Sequence, residues 1–143
     1  MSVNPDELTE RQEQWNPIEG IETPAGRALL HDDHDGLTVT LLFSEIAGAS
    51  DANLRIEFGD VLAYCVYEEF EHPWETAESA PRLSGRWDRY IYPLLQINDS
   101  KWIASLPNLL FVHPGATHYR LLTLDQIIDV LCLKQPKVSW VTA

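Results

Sequence analysis

The stretch Leu54-Arg-Ile-Glu-Phe-Gly-Asp-Val-Leu-Ala-Tyr-Cys-Val-Tyr67 constrains the fold more than any other in the chain. Leu54, Ile56 and Phe58 alternate with Arg55 and Glu57. That is the period-2 pattern of a strand with one face against a core. Gly59-Asp60 then turns a tight hairpin or bulges one long strand. Beyond it Val61, Ala63, Cys65 and Tyr67 share one face and Leu62, Tyr64 and Val66 the other. Both faces are apolar, so this half is expected to be central in its sheet. A chain with this segment in its middle builds around a sheet.

The flanking segments extend that reading. Leu37–Phe43 is a strand introduced by the turn dipeptide Asp35-Gly36, with Ala28–Leu30 a short strand or turn before it. Tyr90–Ile97 is a strand interrupted by Pro93, which favours an edge or a bulge. In Asn-Asp-Ser-Lys-Trp, Asp99 or Ser100 caps a short helix that turns Trp102, Ile103 and Leu106 inward and stops at Pro107. Leu109–Val112 reads as a strand. His118–Leu122 and Gln126–Leu133 form a pair around Thr123–Asp125, and Val138–Val141 adds an edge. Residues 1–15 form an amphipathic helix at most, and 1–30 a loosely docked arm on a single domain. The irregular order of five to seven strands and two or three short helices points to α+β: a mostly antiparallel curved sheet or partial barrel.

Charge narrows the function classes. Residues 1–78 carry 18 acidic and 3 basic side chains, a net of −15; residues 79–143 carry 4 acidic and 7 basic, a net of +3. Nucleic acid and anionic membranes require the opposite sign. An excess of this kind serves solubility or attracts a basic protein. No apolar run approaches the ~20 residues of a membrane span, and the polar start is unlike a leader peptide. Two cysteines, Cys65 and Cys132, in apolar runs suit buried thiols in a reducing compartment, so a cytoplasmic setting is expected.

Three clusters carry residues of chemical interest. His31-Asp-Asp-His-Asp35 has ligand types for Zn²⁺ in His31, Asp33 and His34, but the spacing suits a solvated turn better than a metal cage. Glu68-Glu69-Phe70-Glu71-His72, with Glu75 and Glu78 beyond, reads as a solvated acidic rim. Trp74, Trp87, Tyr90, Tyr92 and Trp102, interleaved with Arg82, Arg86 and Arg89, divide between core packing and an interface. His118 would act as a general base only with a partner within hydrogen-bond reach. The common catalytic and phosphate-binding signatures are absent from the sequence, and it calls for no cofactor and no catalytic residue.

The stretches YPLLQINDSKWIASL and THYRLLTLDQIIDVLC, together with LRIEFGDVLAYCVYEE, are similar to those of small bacterial proteins of unassigned or immunity-like function. The resemblance covers about half the chain and rests on structural motifs. It implies a small α+β protein, an antitoxin that blocks a toxin domain, and transfers no catalytic residue. The leading expectation is therefore a non-enzymatic binding protein for a basic partner. Its partner-binding residues would include Glu68, Glu69, Glu71, Glu75, Trp74, Trp87 and Arg89. The alternatives are a metal- or ligand-binding enzyme domain built on His31–Asp35 with Glu68, Glu71 or His72, and a structural subunit or homodimer using the Trp/Tyr face.

Overall fold

The computed structural model describes residues 10–46, 48–49, 51–68 and 80–142. Among these, nine strands form two antiparallel sheets, joined by a few short helical turns. The strands are β1 (Arg11–Gln14), β2 (Ala28–Asp33), β3 (Gly36–Leu41), β4 (Ala52–Phe58), β5 (Val61–Glu68), β6 (Leu94–Asn98), β7 (Thr117–Leu122), β8 (Gln126–Cys132) and β9 (Lys137–Thr142). One sheet has the order β1-β6-β7-β8-β5 and the other β2-β3-β4-β9. Both are open, so the single curved sheet or partial barrel anticipated from sequence is resolved into two sheets.

The alternating residues of β3 and β4 make one wall of the core. Leu37, Val39 and Leu41 lie beside Leu54, Ile56 and Phe58, all essentially inaccessible, while Arg55 and Glu57 face out. The other wall comes from Tyr119 and Leu121 of β7 with Ile128, Val130 and Cys132 of β8. Phe58 meets Tyr119 across the layers with ring centroids 6.0 Å apart, and Trp15 tilts onto the same tyrosine at 4.5 Å. Such pairs add packing specificity to the apolar area they bury.

The chain changes sheets at Gly59–Asp60. β4 pairs with β3 and β9, whereas β5 pairs with β8, so this dipeptide is a corner and neither a hairpin nor a bulge. Asp60 takes a left-handed φ of 48°, a conformation that aspartate tolerates. Consequently β5 is an edge strand, contrary to the central place its two apolar faces suggested. β6 is displaced in the opposite sense. Its pairing starts just after Pro93, whose carbonyl still accepts the Leu122 N–H at 2.9 Å, so the missing proline N–H falls at the strand's start and β6 sits inside the sheet between β1 and β7.

Two further expectations are corrected. Arg11–Gln14 is a strand paired with β6 and not a helix; Trp15, Ile21 and Ala25 belong to the core, so from Glu10 onward this segment is packed. Leu109–Val112 is a single helical turn, α2, in place of a strand. The helix at Lys101–Ala104, α1, forms as expected: the Ser100 hydroxyl accepts the Ile103 N–H at 3.1 Å.

Candidate functional site

β7 and β8 are buried on both faces, and the face turned away from the other sheet carries a polar cluster beside Leu122, Ile127 and Leu131. Period-2 alternation puts His118 and Arg120 on that face of β7, and the register places Asp129 of β8 directly opposite Arg120. All three side chains are nearly inaccessible, Arg120 completely so. Buried charges persist only when paired and hydrogen-bonded. One carboxylate oxygen, Asp129 Oδ1, accepts from Arg120 Nε at 2.8 Å and stands 2.8 Å from His118 Nε2. The remaining guanidinium nitrogens face the buried N-terminal strand region: Nη1 donates to Gln12 Oε1 at 3.4 Å, and Nη2 lies 3.5 Å from Glu10 Oε1. Glu10 Oε2 accepts the Lys101 N–H at 2.8 Å, tying the network to the start of α1.

The chain of contacts continues through the imidazole. His118 Nδ1 is 2.7 Å from Ser100 Oγ, and the Trp102 ring stands edge-on to the histidine at 5.6 Å. With Asp129 as acceptor, the ring proton belongs on Nε2. Nδ1 is then the acceptor and the Ser100 hydroxyl the donor, a tautomer assigned from the network. The same hydroxyl oxygen accepts the Ile103 N–H, so its lone pairs and its proton are both directed. The result is an ordered line: Ser100, His118, Asp129, Arg120.

Ser100 and His118 also line a cavity of about 590 Å³ between the end of β6, α1, α2 and the start of β7. Its walls are Ile103, Ala104, Leu106 and Leu110 on one side and Gln96, Asn98 and Thr117 on the other. Beside it α2 exposes Leu110, Phe111 and Val112, the phenylalanine at 88%. The backbone turns sharply at this point: Asp99 takes a φ of 53° between β6 and the capping Ser100, and its carboxylate accepts from Arg11 Nε at 3.0 Å.

A second site forms at the β2–β3 hairpin and the β4–β5 corner. Asp32, Asp33, Asp35 and Asp60 line a cleft of about 520 Å³ with His34, Leu62 and Tyr64. The Tyr64 hydroxyl donates to Asp32 Oδ2 at 3.1 Å, and this bond and the negative charge hold the phenol above its usual value. Asp33 Oδ1 accepts the Asp35 N–H at 2.8 Å, closing the turn, and Lys134 reaches Asp60 at 3.7 Å. Tyr64 and Val66 are exposed on β5, and Glu68 ends that strand exposed.

The sequence-derived candidates separate in space. His31 is on β2, with Nε2 3.2 Å from Asp33 Oδ2, and His34 is in the turn. The cluster is thus strand and turn, and among the described residues no three His, Cys, Asp or Glu side chains gather as a metal cage. Trp87 packs with Tyr90 at 5.8 Å beneath the Arg86 guanidinium, and the Arg89 carbonyl accepts from Arg82. Tyr92 is in the core and Trp102 is against His118, so the aromatic group divides between core and surface. Glu69, Glu71, His72, Trp74, Glu75 and Glu78 lie outside the described residues. Sequence reasoning missed Glu10, Arg120 and Asp129 as a set, and gave Ser100 only its capping role. The available signal was a lone Arg in HYRLL and a lone Asp in IIDVLC, each inside an apolar strand.

No family model, no curated protein and no solved structure matches this chain.

Proposed function

We propose that this chain is a binding protein whose acidic end docks a basic protein partner. One observation carries the reading. The hairpin and the corner bring Asp60 into one cleft with Asp32, Asp33 and Asp35, beside the exposed Tyr64 and Val66 of an edge strand. Carboxylates crowded along a cleft raise the local negative potential and speed encounter with a cationic surface. The adjoining aromatic and aliphatic side chains supply the apolar contact that holds a complex once formed. An immunity role, blocking a basic toxin domain, is the biological setting proposed for this surface. Cys65 and Cys132 are both free thiols, which suits a reducing, cytoplasmic location.

The experiment compares capture from the native source by the wild-type chain and by the Asp32→Asn/Asp33→Asn/Asp35→Asn/Asp60→Asn variant. A protein of net positive charge should be retained by the first and lost by the second. The association rate of the purified pair should fall steeply with salt. Equal retention by both proteins, or retention of no basic protein, overturns the reading.

A further inference from the structure

We infer that Ser100 is a reactive serine, activated by His118, that accepts an acyl group from a small uncharged ester or thioester entering the adjacent cavity. This site shares no residue with the acidic cleft, so it goes beyond the binding role and stands or falls separately.

Three independent features converge on Ser100. Its Oγ is 2.7 Å from His118 Nδ1, within the reach a general base needs. The opposite ring nitrogen is 2.8 Å from Asp129, itself held by Arg120, which fixes the ring with its lone pair toward the serine. Finally, strand β6, the left-handed Asp99 and α1 make a strand–turn–helix that sets Ser100 on the cavity lining. Nucleophiles presented on sharp strand-to-helix turns use the same geometry. A serine serving only as a cap needs no imidazole behind it held by Asp129 and Arg120.

The cavity selects the substrate class. About 590 Å³ falls within the range of small-molecule sites. Ile103, Ala104, Leu106 and Leu110 offer an acyl chain an apolar wall. Asp99 on the lining and the buried carboxylates behind His118 disfavour an anionic substrate.

The reaction balances within these groups. Ser100 Oγ attacks the carbonyl carbon and its proton passes to His118 Nδ1, while the other ring proton stays on Nε2, donated to the Asp129 carboxylate. The carbon–oxygen or carbon–sulfur bond to the leaving group breaks, and the departing alcohol or thiol takes the proton from Nδ1. Water then attacks the acyl-serine with Nδ1 as base; the carbon–Oγ bond breaks, the acid leaves and Ser100 regains its proton.

The test is labelling of the native full chain with a small alkyl fluorophosphonate, read by intact mass and peptide mapping, beside p-nitrophenyl acetate turnover. One adduct per chain at Ser100 is expected, together with an acetyl-enzyme intermediate at the same residue. Ser100→Ala should lose both, and His118→Gln should label about 10²-fold more slowly or worse. For Asp129, a positioning residue, the readout is a split of the p-nitrophenyl acetate kinetics. Asp129→Asn should lower kcat with KM little changed, which a purely structural loss of the site would not do. The wild-type measurement does not depend on how any variant folds. No adduct on the native protein, labelling that needs urea, or equal labelling of Ser100→Ala overturns the proposal.

Discussion

Replacing Asp129 by asparagine preserves side-chain volume and removes one charge from the interior. In the native protein Asp129 Oδ1 serves Arg120, 0% exposed, and His118, 1% exposed. The asparagine keeps a neutral acceptor oxygen but no charge, and among the described residues the guanidinium's other contacts, Gln12 at 3.4 Å and Glu10 at 3.5 Å, are longer than a good charge-assisted bond. Breaking a buried pair by deleting one partner costs about 3–5 kcal/mol; because Glu10 still stands 3.5 Å from the guanidinium, the lower end of that range is expected. Against a typical stability of about 5–15 kcal/mol, that is about a fifth of the total or more. For a chain of this size the melting temperature should fall by about 10 °C or more. The exposed pair Arg27–Glu45, with side chains 59% and 38% accessible, is the control. Glu45→Gln there should cost at most about 1 kcal/mol. Urea unfolding of both variants, with unchanged slope, supplies the numbers. A second arm isolates the pair: Arg120→Met with Asp129→Leu should cost clearly less than the two single changes summed. An Asp129→Asn variant within about 1 kcal/mol of wild type, or strict additivity in the double variant, would refute the assignment of this network as a buried, mutually dependent ion cluster.

Other consequences follow from single sites. Burial raises the Cys132 thiol to about 11, from 9.0. Native protein at pH 8 should therefore react with maleimide at the half-buried Cys65 first, and at Cys132 only on unfolding. Since the folded value is the higher, this thiol's contribution to stability is complete below about pH 9. It is lost as pH rises through 11, which alkaline unfolding curves of Cys132→Ala against wild type should show. Gly36 has a φ of 137°, and a Cβ there would run into the Phe58 carbonyl oxygen. Gly36→Ala should cost more than about 1 kcal/mol, measured by thermal melting, and a neutral result would contradict the hairpin geometry. Asp32→Asn removes the charge that accepts from Tyr64, so ultraviolet titration should show one tyrosine ionising at lower pH than in wild type.

Much of the sheet was legible in the sequence because strand pattern is local. Leu54, Ile56 and Phe58 point one way in any fold that buries one face of β4, and Asp35-Gly36 turns the chain wherever it sits. Ser100 capping α1 is equally a matter of adjacent residues. The errors share a cause. Two apolar faces did not make β5 central, Pro93 did not make β6 an edge, and Arg11–Gln14 and Leu109–Val112 exchanged helix and strand. Four-residue segments hold too little pattern to overrule the packing around them.

An acidic chain, −15 over its first 78 residues, building antiparallel strands with apolar inner faces, follows from residue order alone. So does the spacing of a histidine 18 residues after a capping serine, with an aspartate 11 residues beyond the histidine. Long-range packing puts these three in line, with Ser100 and His118 on the lining of a cavity and Asp129 behind them, and brings carboxylates from a hairpin and a corner into one cleft. Register and sheet order are long-range choices, set by which surfaces bury together. Distances of 2.7 and 2.8 Å exist only once β6, β7 and β8 are aligned.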